Sequence, residues 1–277
     1  MTERTRPQQP TVFLGAHADA VTDAVTRLEN DNVVSRILVS DYSVWRSDPT
    51  EITDRLGWLT VIAKMRDEVR GLQRFANEVR DDGIRHVVLL GMGGSSLGPE
   101  VISRTFGSAP GFPELIVLDS TLPRAIIDVG NRIDPARTLF LVSSKSGGTI
   151  EPNSLYKHFR GAVEATGAKS APGDRFAAIT DPGTSLAALA AADGFRRLFE
   201  NPPDIGGRYS VLSFFGLVPA ALIGVDVDRL LDSASAAAAD ANSAMDIQRN
   251  PSAWLGAMIG AMAGKGLRLD LLSVNSV

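Results

Sequence analysis

The fold of this chain follows from one stretch of sequence, Leu139-Phe-Leu-Val-Ser-Ser-Lys-Ser-Gly-Gly-Thr-Ile-Glu-Pro152. Its apolar beginning predicts a strand buried on both faces, because apolar and polar residues do not alternate. Gly147 and Gly148 allow a tight turn and let a ligand approach the backbone closely. The helical pattern that follows offers free N–H groups and the positive end of a dipole. The stretch therefore predicts a cradle for phosphate or another small anion.

The side chains of this stretch supply further donors for an anion. Ser144, Ser146 and Thr149 carry hydroxyls, and Lys145 carries a positive charge. Two alternatives remain open: a strand–turn–helix that is merely capped by Ser or Thr, and a Lys145 that is a solvated turn residue. A second donor-rich loop upstream, Gly91-Met-Gly-Gly-Ser-Ser-Leu-Gly-Pro99, favours the anion site.

The upstream loop resembles a dinucleotide fingerprint only in part. Its spacing is G-x-G-G-S-S-x-G rather than G-x-G-x-x-G. As an anion or sugar-hydroxyl loop it would use the Gly94 N–H and the Ser95 hydroxyl as donors. Gly91 and Gly98 can equally be turn and packing glycines.

Strands and helices alternate through the middle of the chain, which predicts an α/β fold with a parallel sheet covered by helices on both faces. The predicted strands are His86–Leu90, Glu114–Leu118, Thr138–Val142, Arg175–Thr180 and Arg196–Phe199. Ligands of such sheets bind beyond the carboxyl ends of the strands. Both donor-rich loops lie at such ends, so we expect them to meet at one ligand.

The flanking segments are predicted to be mainly helical. The predictions are a disordered tail over residues 1–10, helices over 16–30, 50–80 and 228–245, apolar helices up to 224, a helix from Pro251 capped by Asn250 and ending near Gly264, and a final strand over 267–274. We interpret that last strand as the start of a second α/β unit.

Composition indicates a globular protein and excludes several classes. The 277 residues are 44% hydrophobic, contain no cysteine and carry a formal net charge of −4. Disulfides and thiolate chemistry are therefore excluded, and no basic field attracts nucleic acid. The three histidines lack metal-ligand spacing, and neither a signal peptide nor a membrane span is visible. We expect a cytoplasmic protein without a metal, a cofactor, a nucleic-acid partner or a membrane.

Two charged residues are candidates outside the loops. Arg208 stands beside Gly206 and Gly207, where its fork of donors suits a phosphate or a developing enediolate oxygen. A surface ion pair is the alternative for this arginine. Glu151 falls in the first turn of a helix, where a carboxylate stabilises the dipole, and we do not interpret it as a catalytic base.

Three segments, taken in order and spacing, resemble the glucose-6-phosphate isomerase family. They are Gly91-Met-Gly-Gly-Ser-Ser-Leu-Gly-Pro99, Ser143-Ser-Lys-Ser-Gly-Gly-Thr-Ile-Glu-Pro152 and Gly206-Gly-Arg-Tyr-Ser210. The middle segment alone is a general signal of the sugar-isomerase (SIS) domain, and the third is more specific. The resemblance runs from about residue 45 to 264 and looks closest to bacterial stand-alone isomerases and the isomerase half of transaldolase fusions.

This resemblance implies a homodimeric enzyme that interconverts glucose 6-phosphate and fructose 6-phosphate in glycolysis and gluconeogenesis without a cofactor. It implies SIS domains that are five-stranded parallel sheets sandwiched by helices. It also implies that Arg208 stabilises the enediol intermediate and that Gly94 and Ser95 bind substrate, with Ser95 near the phosphate. The implied phosphate cradle consists of Ser144, Lys145, Ser146 and Thr149 with the backbone of Gly147 and Gly148.

The resemblance also implies what this chain lacks. The family's carboxylate base, histidine and lysine belong to the second SIS domain, so we expect a truncated form that binds phosphosugar with little turnover. A non-catalytic phosphosugar-binding module or regulator remains the alternative. The expected organisation is an N-terminal tail and helices over 1–80, the first SIS domain over 81–210, linking helices over 211–265, and the first strand of an incomplete second SIS domain over 266–277.

Overall fold

A computed structural model describes residues 12–167, 170–242 and 247–266 of the chain. Within these ranges five strands form one sheet in which every pairing is parallel, in the order β2-β1-β3-β4-β5. The strands are β1 His86–Gly91, β2 Glu114–Leu118, β3 Thr138–Ser143, β4 Phe176–Thr180 and β5 Arg197–Glu200. The prediction of a parallel α/β sheet is confirmed, with strand ends shifted by one residue at most.

Helices connect the strands and flank the sheet. They are α1 Ala18–Asn30, α2 Val33–Leu38, α3 Val61–Arg66, α4 Val69–Asp81, α5 Leu97–Phe106, α6 Pro123–Arg132, α7 Ile150–Ala165, α8 Ser185–Ala192, α9 Phe214–Leu222, α10 Val227–Ala241 and α11 Pro251–Gly264. None of the helices in the described ranges is both long and apolar enough to cross a bilayer.

The sheet is buried on both faces, which explains its uniformly apolar strands. Alternate residues of each strand point to opposite faces. Val87 and Leu89 pack with α4, α5 and α9 on one face, whereas Val88 and Leu90 pack with α6, α7 and α8 on the other. At the second face Phe140 stacks on both Phe159 and Phe176, with ring centroids 4.8 and 5.2 Å away.

The prediction of one long helix over residues 50–80 is wrong. The segment begins with short 3-10 turns, and only α3 and α4 are α-helical. Leu56 forms an antiparallel bridge with Ile205, and the Gly57 N–H donates to the carbonyl of Asp204 at 2.8 Å. The backbone at Leu56 and Gly57 therefore pairs with the distant Asp204–Ile205 segment and not with its own helix. The apolar residues of this segment are buried without one continuous helix.

Predictions for the rest of the chain have mixed outcomes. The predicted helix over 228–245 is too long, because α10 ends at Ala241, whose carbonyl accepts a hydrogen bond from the Asn250 amide at 2.6 Å. The predicted cap of α11 is confirmed, since the Asn250 side chain accepts from the Ala253 N–H at 3.0 Å. The predicted tail over 1–10 and the final strand over 267–274 lie outside the described residues.

The chain forms two compact units. The larger comprises Arg46–Ser235 and contains the whole sheet, and the smaller contains the described parts of Met1–Trp45 and Ala236–Val277. In the smaller unit Ala24 and Val25 of α1 pack against Ala257 of α11. Residues 46–80 therefore belong to the compact unit that contains the sheet.

Tyr156 of α7 gives a pH-dependent test of this fold. Burial, helped by a hydrogen bond to the Asp193 carboxylate, raises the pKa of Tyr156 to about 12, above its ordinary value near 10. The protonated phenol therefore stabilises the fold fully below pH ~10, and this contribution disappears as the pH rises through about 12.

We expect the Tyr156→Phe variant to lack this loss of stability over the same pH window. The measurement is the free energy of unfolding of both proteins at a series of alkaline pH values. Parallel losses of stability in the variant and the wild type would contradict the assignment.

Candidate functional site

The two donor-rich loops leave neighbouring strands at the same edge of the sheet. β1 and β3 pair in parallel, and their last residues, Gly91 and Ser143, stand opposite each other. A Cβ added to Gly91 would lie 3.1 Å from the Cβ of Ser95 and 3.2 Å from the Cβ of Ser143. The two loops therefore begin next to each other, and Gly91 is a packing glycine at their junction.

The loop after β3, residues 144–149, gathers its hydroxyls around Thr149. The Oγ1 atom of Thr149 lies 2.9 Å from Ser144 Oγ and 3.5 Å from Ser146 Oγ. Thr149 is the N-cap residue of α7, yet its side chain accepts no hydrogen bond from that helix. The Thr149 hydroxyl therefore contacts the serine hydroxyls instead of capping α7. The positive end of the α7 dipole lies next to the same hydroxyls.

The two glycines of this loop have different roles. Gly147 has a φ of +68°, and a Cβ there would lie 2.6 Å from the Cβ of Thr184. Its carbonyl accepts hydrogen bonds from Ser185 Oγ at 2.9 Å and from Asn153 Nδ2 at 3.2 Å, so the turn is fixed from two sides. No atom of the described residues lies within 4 Å of a Cβ added to Gly148, which leaves open space for a ligand. Sequence reasoning missed Asn153 and Ser185, which carry no local signal.

The loop after β1 packs directly on the segment that carries Arg208. A Cβ added to Gly94 would lie 2.2 Å from the carbonyl oxygen of Gly207. Ser210 Oγ donates to that same carbonyl at 2.7 Å and approaches the Gly94 carbonyl at 3.4 Å. Gly94 is therefore required for close packing, whether or not its N–H also binds a ligand.

Ser95, in the loop after β1, and Ser143, the last residue of β3, have hydroxyls without a hydrogen-bond partner among the described residues. Ser95 is only 8% exposed, and its hydroxyl has no hydrogen-bond partner in the described part of the chain. Ser143 is fully buried, and its Oγ also has no partner there. Buried hydroxyls ordinarily find a partner, so these two can complete their hydrogen bonding with a ligand or water.

Arg208 extends from the turn Gly207–Tyr209 and is exposed. Among the described residues, no hydrogen bond or ion pair engages its guanidinium, so the surface ion pair considered from the sequence is absent there. The neighbouring Tyr209 stacks on Trp58 at 5.6 Å between ring centroids, which fixes this side of the turn. The guanidinium is thus free to meet an anionic group.

The Lys145 side chain is partly buried, and within the described residues its ammonium makes no hydrogen bond to the cradle hydroxyls. Its ammonium donates to the Asp181 carboxylate and, at 2.9 Å, to the carbonyl of Pro203. Burial raises the pKa of Asp181, and the nearby Lys145 charge opposes that rise. Sequence reasoning missed Asp181, although its position directly after β4 matches that of the donor-rich loops after β1 and β3.

The fold is thus a parallel α/β domain of the SIS type, with donor-rich loops after two adjacent strands. A family model described as "Phosphoglucose isomerase" matches residues 46–261. The chain belongs to the phosphoglucose isomerase family.

Curated relatives agree with this assignment. The chain is 35% identical to the glucose-6-phosphate isomerase of Symbiobacterium thermophilum over 78% of its own length and 50% of the relative's. It is 30% identical to that of Clostridium novyi over 79% of its own length and 51% of the relative's. The chain thus spans about half the length of these relatives.

Solved structures agree with the fold. A hypothetical protein from Thermus thermophilus matches 88% of this chain and 55% of its own chain, with a TM-score of 0.74 and 26% identity. A glucose-6-phosphate isomerase from Chlamydia trachomatis covers 88% of this chain and 48% of its own, with a TM-score of 0.63 and 24% identity.

Gly94→Ala tests the packing between the two segments. The added methyl group would overlap the Gly207 carbonyl, so one backbone must move, at a cost of about 1–3 kcal/mol for overpacking. We expect a lower free energy of unfolding, measured by chemical denaturation.

Gly130→Ala in α6 is the matched control, because nothing lies within 4 Å of its added Cβ. Equal stability of the Gly94 and Gly130 variants would contradict the close packing.

Proposed function

We propose that this chain is the phosphosugar-binding part of an enzyme that interconverts glucose 6-phosphate and fructose 6-phosphate, as in glycolysis and gluconeogenesis. The observation that carries the proposal is the pairing of β1 with β3, which brings two donor-rich loops to one edge of the sheet. The unpaired guanidinium of Arg208 belongs to a segment packed on the first of these loops. The curated relatives, which are glucose-6-phosphate isomerases, support the same substrate.

Each candidate residue has a role in this proposal. The phosphate lies at the N-terminal end of α7, where the dipole and several donors favour a dianion. Gly94 and Ser95 contact the substrate from the β1 side, and the cradle is formed by Ser144, Lys145, Ser146, Gly147, Gly148 and Thr149. Arg208 stabilises the negative oxygen of the enediol intermediate, because a fixed cation matches charge that develops there.

The proton transfer needs a further group. Aldose–ketose isomerisation moves a proton between C1 and C2, which requires a base within hydrogen-bond reach. The Asp181 carboxylate is engaged by Lys145, and Glu151 occupies the first turn of α7. The base of the family belongs, by resemblance, to the part of the relatives that this chain does not match. We therefore propose that this chain binds phosphosugar with little turnover.

The proposed organisation follows the same resemblance. The described part of residues 1–80 contributes helices, residues 81–210 form the first SIS domain, and residues 211–265 are linking helices. The full-length enzyme is a cytoplasmic homodimer.

Removing two cradle hydroxyls tests the proposed phosphate site. Each hydrogen bond to a charged oxygen is worth about 1.5–3 kcal/mol, so Ser144→Ala with Thr149→Ala should weaken glucose 6-phosphate binding strongly. The measurement is isothermal titration of the wild type and the double variant.

A control pair removes two exposed hydroxyls that bond only to their own helices, Thr22→Ala with Ser233→Ala. Unchanged affinity in the Ser144/Thr149 variant, or an equal loss in the control, would refute the cradle.

A coupled isomerase assay tests the proposed lack of turnover. Because binding groups and Arg208 cannot by themselves carry the proton, the purified 277-residue chain should bind glucose 6-phosphate yet convert almost none of it. Turnover at the rate of a full-length relative assayed in parallel would overturn this part of the proposal.

A further inference from the structure

Asp181 and Lys145 are joined at two points, although 36 residues separate them. The Asp181 N–H donates to the Lys145 carbonyl at 3.2 Å, and the Lys145 ammonium donates to the Asp181 carboxylate. The same ammonium reaches the carbonyl of Pro203 at 2.9 Å. Lys145 thus links the loop after β3 with the loop after β4 and with the segment that leads to Arg208.

The surroundings of this pair make it costly to open. The side chains of Lys145 and Asp181 are only 27% and 16% exposed, and although burial raises the pKa of Asp181, the Asn201 side chain also helps to lower it. A second carboxylate, that of Asp204, also acts to raise the pKa of Asp181, and it pairs with the Lys64 ammonium at 2.9 Å. If Lys145 left for a ligand, the half-buried Asp181 charge would lose its cation, which is strongly unfavourable.

We propose that Asp181 is a positioning residue whose carboxylate holds the Lys145 ammonium away from the ligand phosphate. Held in this way, the Lys145 side chain links the cradle to the segment that carries Arg208. We call this link the strap. The inference rests on the proposed phosphosugar site and changes one role within it, because Lys145 then orders the cradle without an ammonium contact to the phosphate. The charge of the phosphate is then met by the cradle hydroxyls and the N-terminal end of α7. The strap contributes to affinity by keeping these groups in their binding geometry.

The first test measures the reactivity of the Lys145 amine in the free 277-residue chain. Reductive methylation followed by mass spectrometry gives the rate at each lysine, and the exposed Lys157 is the internal reference. A strapped Lys145 should react more slowly than Lys157, and Asp181→Asn should speed its reaction several-fold. Asp82→Asn is the matched control, because it breaks an Asp–Arg pair at the opposite edge of the sheet.

The second test uses the sign of a change in affinity, measured by isothermal titration with glucose 6-phosphate. A strap predicts that Asp181→Asn and Lys145→Met each weaken binding about threefold to tenfold, as expected for losing the preorganisation of a side chain. The double variant should be no weaker than either single variant. Direct contact between Lys145 and phosphate predicts the opposite sign for Asp181→Asn, because the competing carboxylate is gone.

Wild-type protein alone gives a third measurement, which does not depend on the folding of any variant. Saturating glucose 6-phosphate should leave the reactivity of Lys145 unchanged if the strap persists, whereas protection of Lys145 by the ligand would overturn the proposal. Tighter binding by Asp181→Asn, or equal reactivity of Lys145 in the wild type and Asp181→Asn, would also overturn it. A wild type that binds no sugar phosphate would refute the proposed function, while the reactivity in the free chain would still decide whether the strap exists.

Discussion

Parallel pairing between β1 and β3 at the centre of the sheet is the constraint on which the rest depends. Six consecutive residue pairs join the strands, and Gly91 and Ser143 form the last of them. Parallel neighbours end at the same edge, so this pairing delivers both donor-rich loops to one place. The apolar residues between are fully buried, which gives the edge a rigid base. The carboxyl edge can therefore present hydroxyls, amides and a helix dipole to a single anion.

Close backbone approaches then fix the geometry at that edge. Because Gly94 has no side chain, the Gly207 carbonyl can pack against it, and Thr184 packs against Gly147 for the same reason. Both contacts would be blocked by a methyl group, so these glycines act through packing as much as through any ligand. Gly148 has open space beside it among the described residues, so a ligand can approach its backbone. The Lys145–Asp181 pair adds an electrostatic link between segments that packing alone brings close.

The local sequence pattern was enough to predict the strands. Each strand is a short uninterrupted apolar run bounded by turn residues, and such a run is typical of a buried strand. The pattern was also enough to predict that the two loops begin next to each other. The pattern failed over residues 50–80, where apolar residues at helical spacing predicted one long helix. The first part of this segment forms 3-10 turns, because Leu56 pairs with the distant Ile205. The pattern could not predict the partner of Lys145, since nothing in the local sequence connects that residue with Asp181. Long-range pairing, rather than local propensity, accounts for both misses.

A crystal structure of this chain with bound glucose 6-phosphate is the most direct test of the central claim. We predict the phosphate within hydrogen-bond distance of the Ser144 and Thr149 hydroxyls, at the N-terminal end of α7 and near Ser95, with the sugar lying along the loop after β1. A phosphate bound at another edge of the sheet, or a sugar directed away from the loop after β1, would contradict the account.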